Sequence, residues 1–255
     1  MMCMRFGIAA LSAALCIAVC GGALTAEEMA RLRAERRERR LAESGGIVER
    51  DQGGRSALIA SAQDRVPLDA LERVAESIRR LVQIRVDVAK ADGRKRQRPT
   101  EAHPAVVTVV DDAGMEETLL VAPEQNWAVV NVHALACDNP TAEVLSTRIH
   151  KETWRAMAMA MGAANSMAQP CLLREINTLR QLDRTRNMLP SPQPVNNMLD
   201  VADRLGISRI RRATYLQACQ EGWAPAPTNE LQRAVWDRVH SEKERGPGRA
   251  LKIVP

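Results

Sequence analysis

The sequence predicts an α+β fold: a small mixed β-sheet, a central buried helix and a helical C-terminal part. Three observations predict it. Short runs of apolar, largely β-branched residues separated by turn signals occupy much of 56–132. A helix-length stretch over 141–164 becomes apolar on every side in its second half. Beyond it the chain shows helical caps and periods.

The composition sets the limits. With 45% apolar residues in 255, the chain can bury a sizeable core, and wholesale disorder is excluded. Lys and Arg total 36 against 31 Asp and Glu, a net +5, which by itself implies no nucleic-acid partner. Aromatic residues are only 2%, so base-stacking platforms and aromatic sugar clefts have little to be built from.

Residues 1–26 have the layout of a secretory signal. Arg5 precedes an uncharged apolar run from Phe6 to Val19, and small residues follow, with cleavage expected after Ala23 or Ala26. The run is about 14 residues, short of the roughly 18–20 that span a bilayer. The chain is therefore expected to be exported, periplasmic or extracellular, with no membrane span in its mature form. Cys3, Cys16 and Cys20 leave with the signal. Cys137, Cys171 and Cys219 remain, enough for at most one disulfide and, without a C-x-x-C pair, a poor zinc knuckle. Burial as small hydrophobes is the alternative.

Residues 27–55 form a charged tract, with seven Arg and six Glu between 27 and 50. Glu/Arg pairs support a helix there, but little apolar stripe exists to bury, so a disordered, solvated linker is expected. The domain proper is expected over 56–245, as a sheet plus central helix (56–164) and a helical part (165–245), with 246–255 a tail. Ser56–Ala62 reads as a buried strand. Pro67 opens a helix with Leu71, Val74, Ile78 and Leu81 at spacings of three and four. The period switches to two at Val82, Ile84, Val86 and Val88. Ala105–Val110, Glu117–Val121 and Trp127–Val132 read as strands, and the short gaps DDAG and APEQ suit turns between antiparallel neighbours. The long helix is capped by Asn139-Pro140 or Thr141 and runs to Ala164. A helix over 194–205 ends at Gly206, Ser208 caps another to Gln220, and Asn229 with Gln232 opens a third that ends near Arg245.

The central helix carries the chemistry to be judged. Residues 148–162 read RIHKETWRAMAMAMG, preceded by AVVNVHAL (128–135) and followed by CLLREINTLRQLD (171–183). The stretch from Trp127 to Asp183 resembles the archaemetzincin family of zinc metallopeptidases. The resemblance implies a zincin-like fold, with 128–135 as the edge strand over a cleft and 148–155 leading into the metal helix. In that family H-E-x-x-H-x-x-G-x-x-H supplies three imidazoles to zinc, a Glu base and a methionine turn below. Anchored on Glu152, the ligand positions hold Lys151, Arg155 and Met161, and the glycine position holds Ala158, with Gly162 displaced. The methionine turn falls near Leu173 or Met167. No metal or cofactor is expected, because cations repel Zn²⁺ and offer no lone pair. Glu152 is a relic base, or it neutralises Arg155, Arg148 or Lys151.

Three functions compete. In the first, a non-catalytic exported relative of the metallopeptidases binds a peptide or an envelope protein in the old cleft. In the second, a hydrolase uses Glu152 with His133 or His150. In the third, residues 199–218 form a helix-turn-helix with Arg209, Arg211 and Arg212 on the second helix. The signal peptide opposes the third, as does Arg212, which stands where an apolar residue would pack the two helices, so no nucleic-acid partner is expected. His103 and His240 lie in other segments and form no helical pair. Met157, Met159, Met161 and Met167 are better core packing than soft copper ligands, since a spacing of two disperses them round a helix. Ser166 and Cys171 have no orienting base nearby in sequence.

Overall fold

The computed structural model describes residues 25–62, 66, 68–91, 96–165, 171–185 and 192–244. The segment expected as a signal, through residue 24, with Pro67, Ser166, Met167 and the tail 246–255, lies outside them. In chain order the elements are α1 (Ala26–Glu43), β1 (Ile47–Asp51), β2 (Ala57–Ser61), α2 (Leu68–Val82), β3 (Val86–Lys90), β4 (Ala105–Val110), β5 (Leu119–Ala122) and β6 (Trp127–Asn131). Then come α3 (Val132–Leu135), α4 (Ala142–Ala160), α5 (Leu179–Arg184), α6 (Pro192–Leu205), β7 (Ile210–Thr214), α7 (Tyr215–Gln220) and α8 (Glu230–Glu244). The class is α+β, with a five-stranded mixed sheet and a two-stranded one. No described helix is long and apolar enough to cross a membrane.

The chain divides into two compact units, 49–212 and a second made of 1–48 with 213–255. It passes between them within β1 and β7, which pair with each other.

In the larger unit the sheet order is β3-β2-β4-β6-β5. β2, β3, β4 and β6 run parallel, and β5 returns antiparallel to β6. Parallel strands are covered on both faces, which is why AVVTVV in β4 and WAVVN in β6 are buried at every position. Helix α2 buries Leu71, Val74, Ala75, Ile78 and Val82 along one stripe against β2, β3, α4 and α6. Helix α4 is capped by Thr141, whose hydroxyl accepts from Val144 N. It packs on β4, β5, β6, α2 and α5, and every residue from Arg148 to Ala158 except the half-buried His150 is buried.

Several expectations are corrected. The gap DDAG does not join antiparallel neighbours, because β4 pairs parallel with β6 and β5 lies outside both. Trp127–Asn131 is an inner strand, and the edge is β5, whose Leu120 is exposed. α4 ends at Ala160, with Met161 as its C-cap. Ser208 starts no helix. Its N–H donates to Arg55 O and its carbonyl accepts from Arg85 N, while Ile210 N donates to Gln83 O. Those pairings hold 208–214 extended, so the helix-turn-helix layout does not form. Arg209 instead pairs with Asp203, and Arg212 with Glu49.

The smaller unit contains α1, α7 and α8. The charged tract expected as a linker is regular here: Thr25 and Glu28 form a reciprocal capping box at the start of α1. After α1 the chain turns at Gly45 (φ +79°) and Gly46 (φ +85°). The carbonyls of Ser44 and Gly46 accept from Leu216 N and Tyr215 N, and Gly45 O accepts from Gln232 Nε2. Asn229 caps α8 as expected, but Gln232 reaches back to Thr228 N. Tyr215, Ala218, Cys219, Val235 and Val239 form the core with Val48. Burial, with Cys219 nearby, pushes the Tyr215 phenol up to about 12.

A Cβ on Gly45 would lie 3.1 Å from Tyr215 Cβ, at a φ that L-residues rarely adopt. Gly45→Ala is therefore expected to destabilise the protein by about 1–3 kcal/mol. Urea unfolding followed by Trp fluorescence checks this.

Candidate functional site

Between the edge strand β5, helix α4 and the segment 176–182 lies a cleft of about 510 Å³. Leu119, Val121, Met159, Ile176 and Leu179 form apolar walls, and Glu116 and Glu117 stand exposed at its margin. Arg155 lines it from α4, and the exposed thiol of Cys137 lines it from the loop after α3. The far wall is short: the capping box of Thr178 and Gln181 starts α5, which ends at Arg184.

The three positions that the resemblance assigns to metal ligands are all occupied otherwise. Lys151 is buried and its Nζ donates to the carbonyls of Leu182 (3.1 Å) and Asp183 (2.9 Å) at the end of α5. Its ammonium thus satisfies carbonyls that a helix C-terminus leaves open. Burial lowers the Lys151 pKa, and Asp183 opposes that shift. Arg155 donates through Nη1 to Glu152 at 3.3 and 3.4 Å. Met161 is fully enclosed in the core with Met157, Leu172 and Leu173. A guanidinium, an amine committed to two carbonyls and an enclosed thioether do not fit zinc, which takes nitrogen, sulfur or carboxylate donors with free lone pairs.

Glu152 is fully buried. Its Oε1 accepts from the Thr118 hydroxyl (2.9 Å) and from Arg155, so the carboxylate is neutralised in place. Of the three cations offered as its partner, only Arg155 takes that role. Arg148 makes five hydrogen bonds, to Asp183 through Nε and Nη2, to Asp138 through Nη1 and Nη2, and to Leu135 O through Nη1. These bonds hold the Arg148 pKa further above its ordinary value and pull both carboxyls below theirs.

The other candidates do not converge. His133 is exposed and faces Asp111 at 3.3 Å. His150 is half-buried, and burial, with Arg73 second, lowers its pKa. Neither is a hydrogen-bond partner of Glu152. Ala158 is buried, and Gly162 turns the chain at φ +82° after α4. Leu173 is buried at one proposed methionine-turn position, while Met167 is outside the described residues. Cys171 and Cys219 are buried, but Cys137 is exposed, so the alternative of three cysteines buried as small hydrophobes does not hold. Among the described residues, no three His, Cys, Asp or Glu side chains cluster in a way that would hold a metal ion. Thr118, Asp138, Asp183 and the 176–182 wall were not singled out as site residues in sequence. Their partners on α4 lie 10 to 35 positions away, beyond any local spacing signal.

No family model matches the chain, and no curated protein matches it. Among solved structures it is similar to an archaemetzincin from Methanopyrus kandleri, with 15% identity and a TM-score of 0.47 over 59% of this chain and 97% of that one. It is similar to a zinc-dependent peptidase from Methanocorpusculum labreanum, with 14% identity and a TM-score of 0.45 over 56% of this chain and 100% of that one. It is also similar to an archaemetzincin from Archaeoglobus fulgidus complexed with malonate, with 16% identity and a TM-score of 0.43 over 56% and 99%.

Two outcomes test this geometry. Met161→Ala removes a fully enclosed side chain and is expected to cost about 2–5 kcal/mol by denaturant unfolding; a surface-like cost below about 1 kcal/mol would mean an open cavity there. Asp138 and Asp183 have folded pKa values below their unfolded ones, so their contribution is complete above the ordinary carboxylate range. It is lost as pH falls from about 4 through the lower folded values. Acid titration of unfolding should show this loss, and Arg148→Met should flatten it.

Proposed function

We propose that the chain is an exported, non-catalytic, archaemetzincin-like protein whose cleft binds peptide. The observation that carries this reading is Arg155. It stands at the second ligand position, paired with the residue aligned to the family's base, and it lines the cleft. A guanidinium stays charged at any physiological pH and donates no lone pair, so the position opposes a metal while favouring contact with a polar ligand. Glu152, tied to Arg155 and Thr118, is not free to take a proton from water. The exposed edge strand β5 beside an apolar cleft is a surface that an extended chain can pair with. Placement of Arg209 and Arg212 in ion pairs lends no support to nucleic-acid binding.

Export rests on the layout of residues 1–26, and the start of α1 supports one processing point over the other. Cleavage after Ala23 keeps Thr25 as the cap of α1; cleavage after Ala26 removes it.

Elemental analysis tests the first part. The mature protein, purified from zinc-supplemented cells and dialysed against a weak chelator, is expected to hold far less than one equivalent of zinc and to cleave no peptide in a mixed library. One tightly held equivalent, or zinc-dependent cleavage, refutes the non-catalytic reading. N-terminal sequencing of the exported form is expected to begin at Leu24.

A further inference from the structure

We infer that the cleft recognises a single carboxylate on an apolar stem, with Arg155 as the group that binds it. This inference rests on the cleft-binding reading above and adds the chemistry of the ligand. The Arg155 side chain is only 7% exposed, yet it lines the cleft. Glu152 engages Nη1 alone, at 3.3 and 3.4 Å, longer than the roughly 2.7–2.9 Å of a strong charge-assisted bond. Nε is buried without a hydrogen-bond partner among the described residues. Among the described residues no hydrogen bond reaches the Nε–Nη2 edge of the guanidinium, and that edge matches a carboxylate through two parallel bonds. An unmet buried donor is costly, and a ligand oxygen that meets it gains accordingly.

The surroundings define the rest of the ligand. Leu119, Val121, Ile176 and Leu179 offer apolar contact, so the stem is hydrocarbon-rich. Glu116 and Glu117, exposed at the margin, repel a second negative charge, so one carboxylate is preferred to two. A peptide C-terminus after an apolar residue and a free aliphatic acid both have this chemistry.

The test uses the full chain and three probes: an acetylated leucine tripeptide with a free C-terminal carboxylate, the same tripeptide as its amide, and hexanoate. Calorimetric titration reads affinity, and the rate of maleimide reaction at Cys137, located by peptide mapping, reports whether binding occurs in this cleft. The acid is expected to bind and to slow labelling of Cys137, and the amide to bind about tenfold or more weakly. Hexanoate matching the tripeptide identifies a small acid as the ligand; hexanoate much weaker identifies a peptide terminus. Arg155→Lys keeps a cation beside Glu152 but loses the fork, and is expected to lose about tenfold or more in affinity for the acid. Met159→Trp, which fills the cleft and leaves the guanidinium, is expected to lose binding as well. Equal affinity for acid and amide overturns the carboxylate assignment and leaves peptide binding standing. Binding without protection of Cys137, unchanged affinity in Arg155→Lys, or no binding by any probe overturns the inference; the last removes the support for peptide binding too.

Discussion

The cleft depends on one buried cation. Arg148, on α4, has a side chain only 4% exposed and spends its donors on two carboxylates and a carbonyl. Leu135 ends α3, Asp138 belongs to the loop between α3 and α4, and Asp183 belongs to α5. One guanidinium therefore ties three stretches to the central helix. Desolvating a cation costs several kcal/mol, which is recovered only when geometry and hydrogen bonding are nearly complete. Here both acidic partners remain partly exposed, so their own desolvation is smaller. The far wall of the cleft stands where it does because that clamp holds α5.

Lys151 extends the same arrangement. One turn along α4 from Arg148, it reaches the open carbonyls at the end of α5. It is thus a strut between two helices. Arg155, a turn further, lines the cleft and pairs with Glu152. Met161, at the helix end, packs with Leu172 and Leu173, so hydrocarbon closes that end. Along one helix the series runs from clamp to strut to cleft cation to core.

The parallel sheet explains why so much of α4 is dry. β4 and β6 are covered on both faces, and α4 lies against them with α2 beside it. Polar side chains that enter this layer must find partners inside it. Arg148, Lys151, Glu152 and Arg155 do so, and the buried hydroxyl of Thr153 has no hydrogen-bond partner among the described residues. Asn131, at the end of β6, meets the same demand by turning back to the carbonyls of Asp112 and Met115.

What the sequence determined by itself was local. Periods of two and of three or four marked the strands and α2, Thr141 and Asn229 marked helix starts, and AMAMAMGAA marked the largely buried end of α4. That no histidine stands at the positions the resemblance assigns to ligands was also legible, because it needs only spacing on one helix. Tertiary structure decided the rest, for a physical reason. Strand order depends on pairings between distant segments, so β5 took the edge that 128–135 was expected to hold. Residues 208–214 became extended because backbone partners at 55 and 83–85 were available to them, overriding a helical pattern. The tract 27–43 formed a capped helix although it has little apolar face to bury. The cleft could not be read from sequence because its cation, its walls and the clamp that holds them come from segments that meet only after folding.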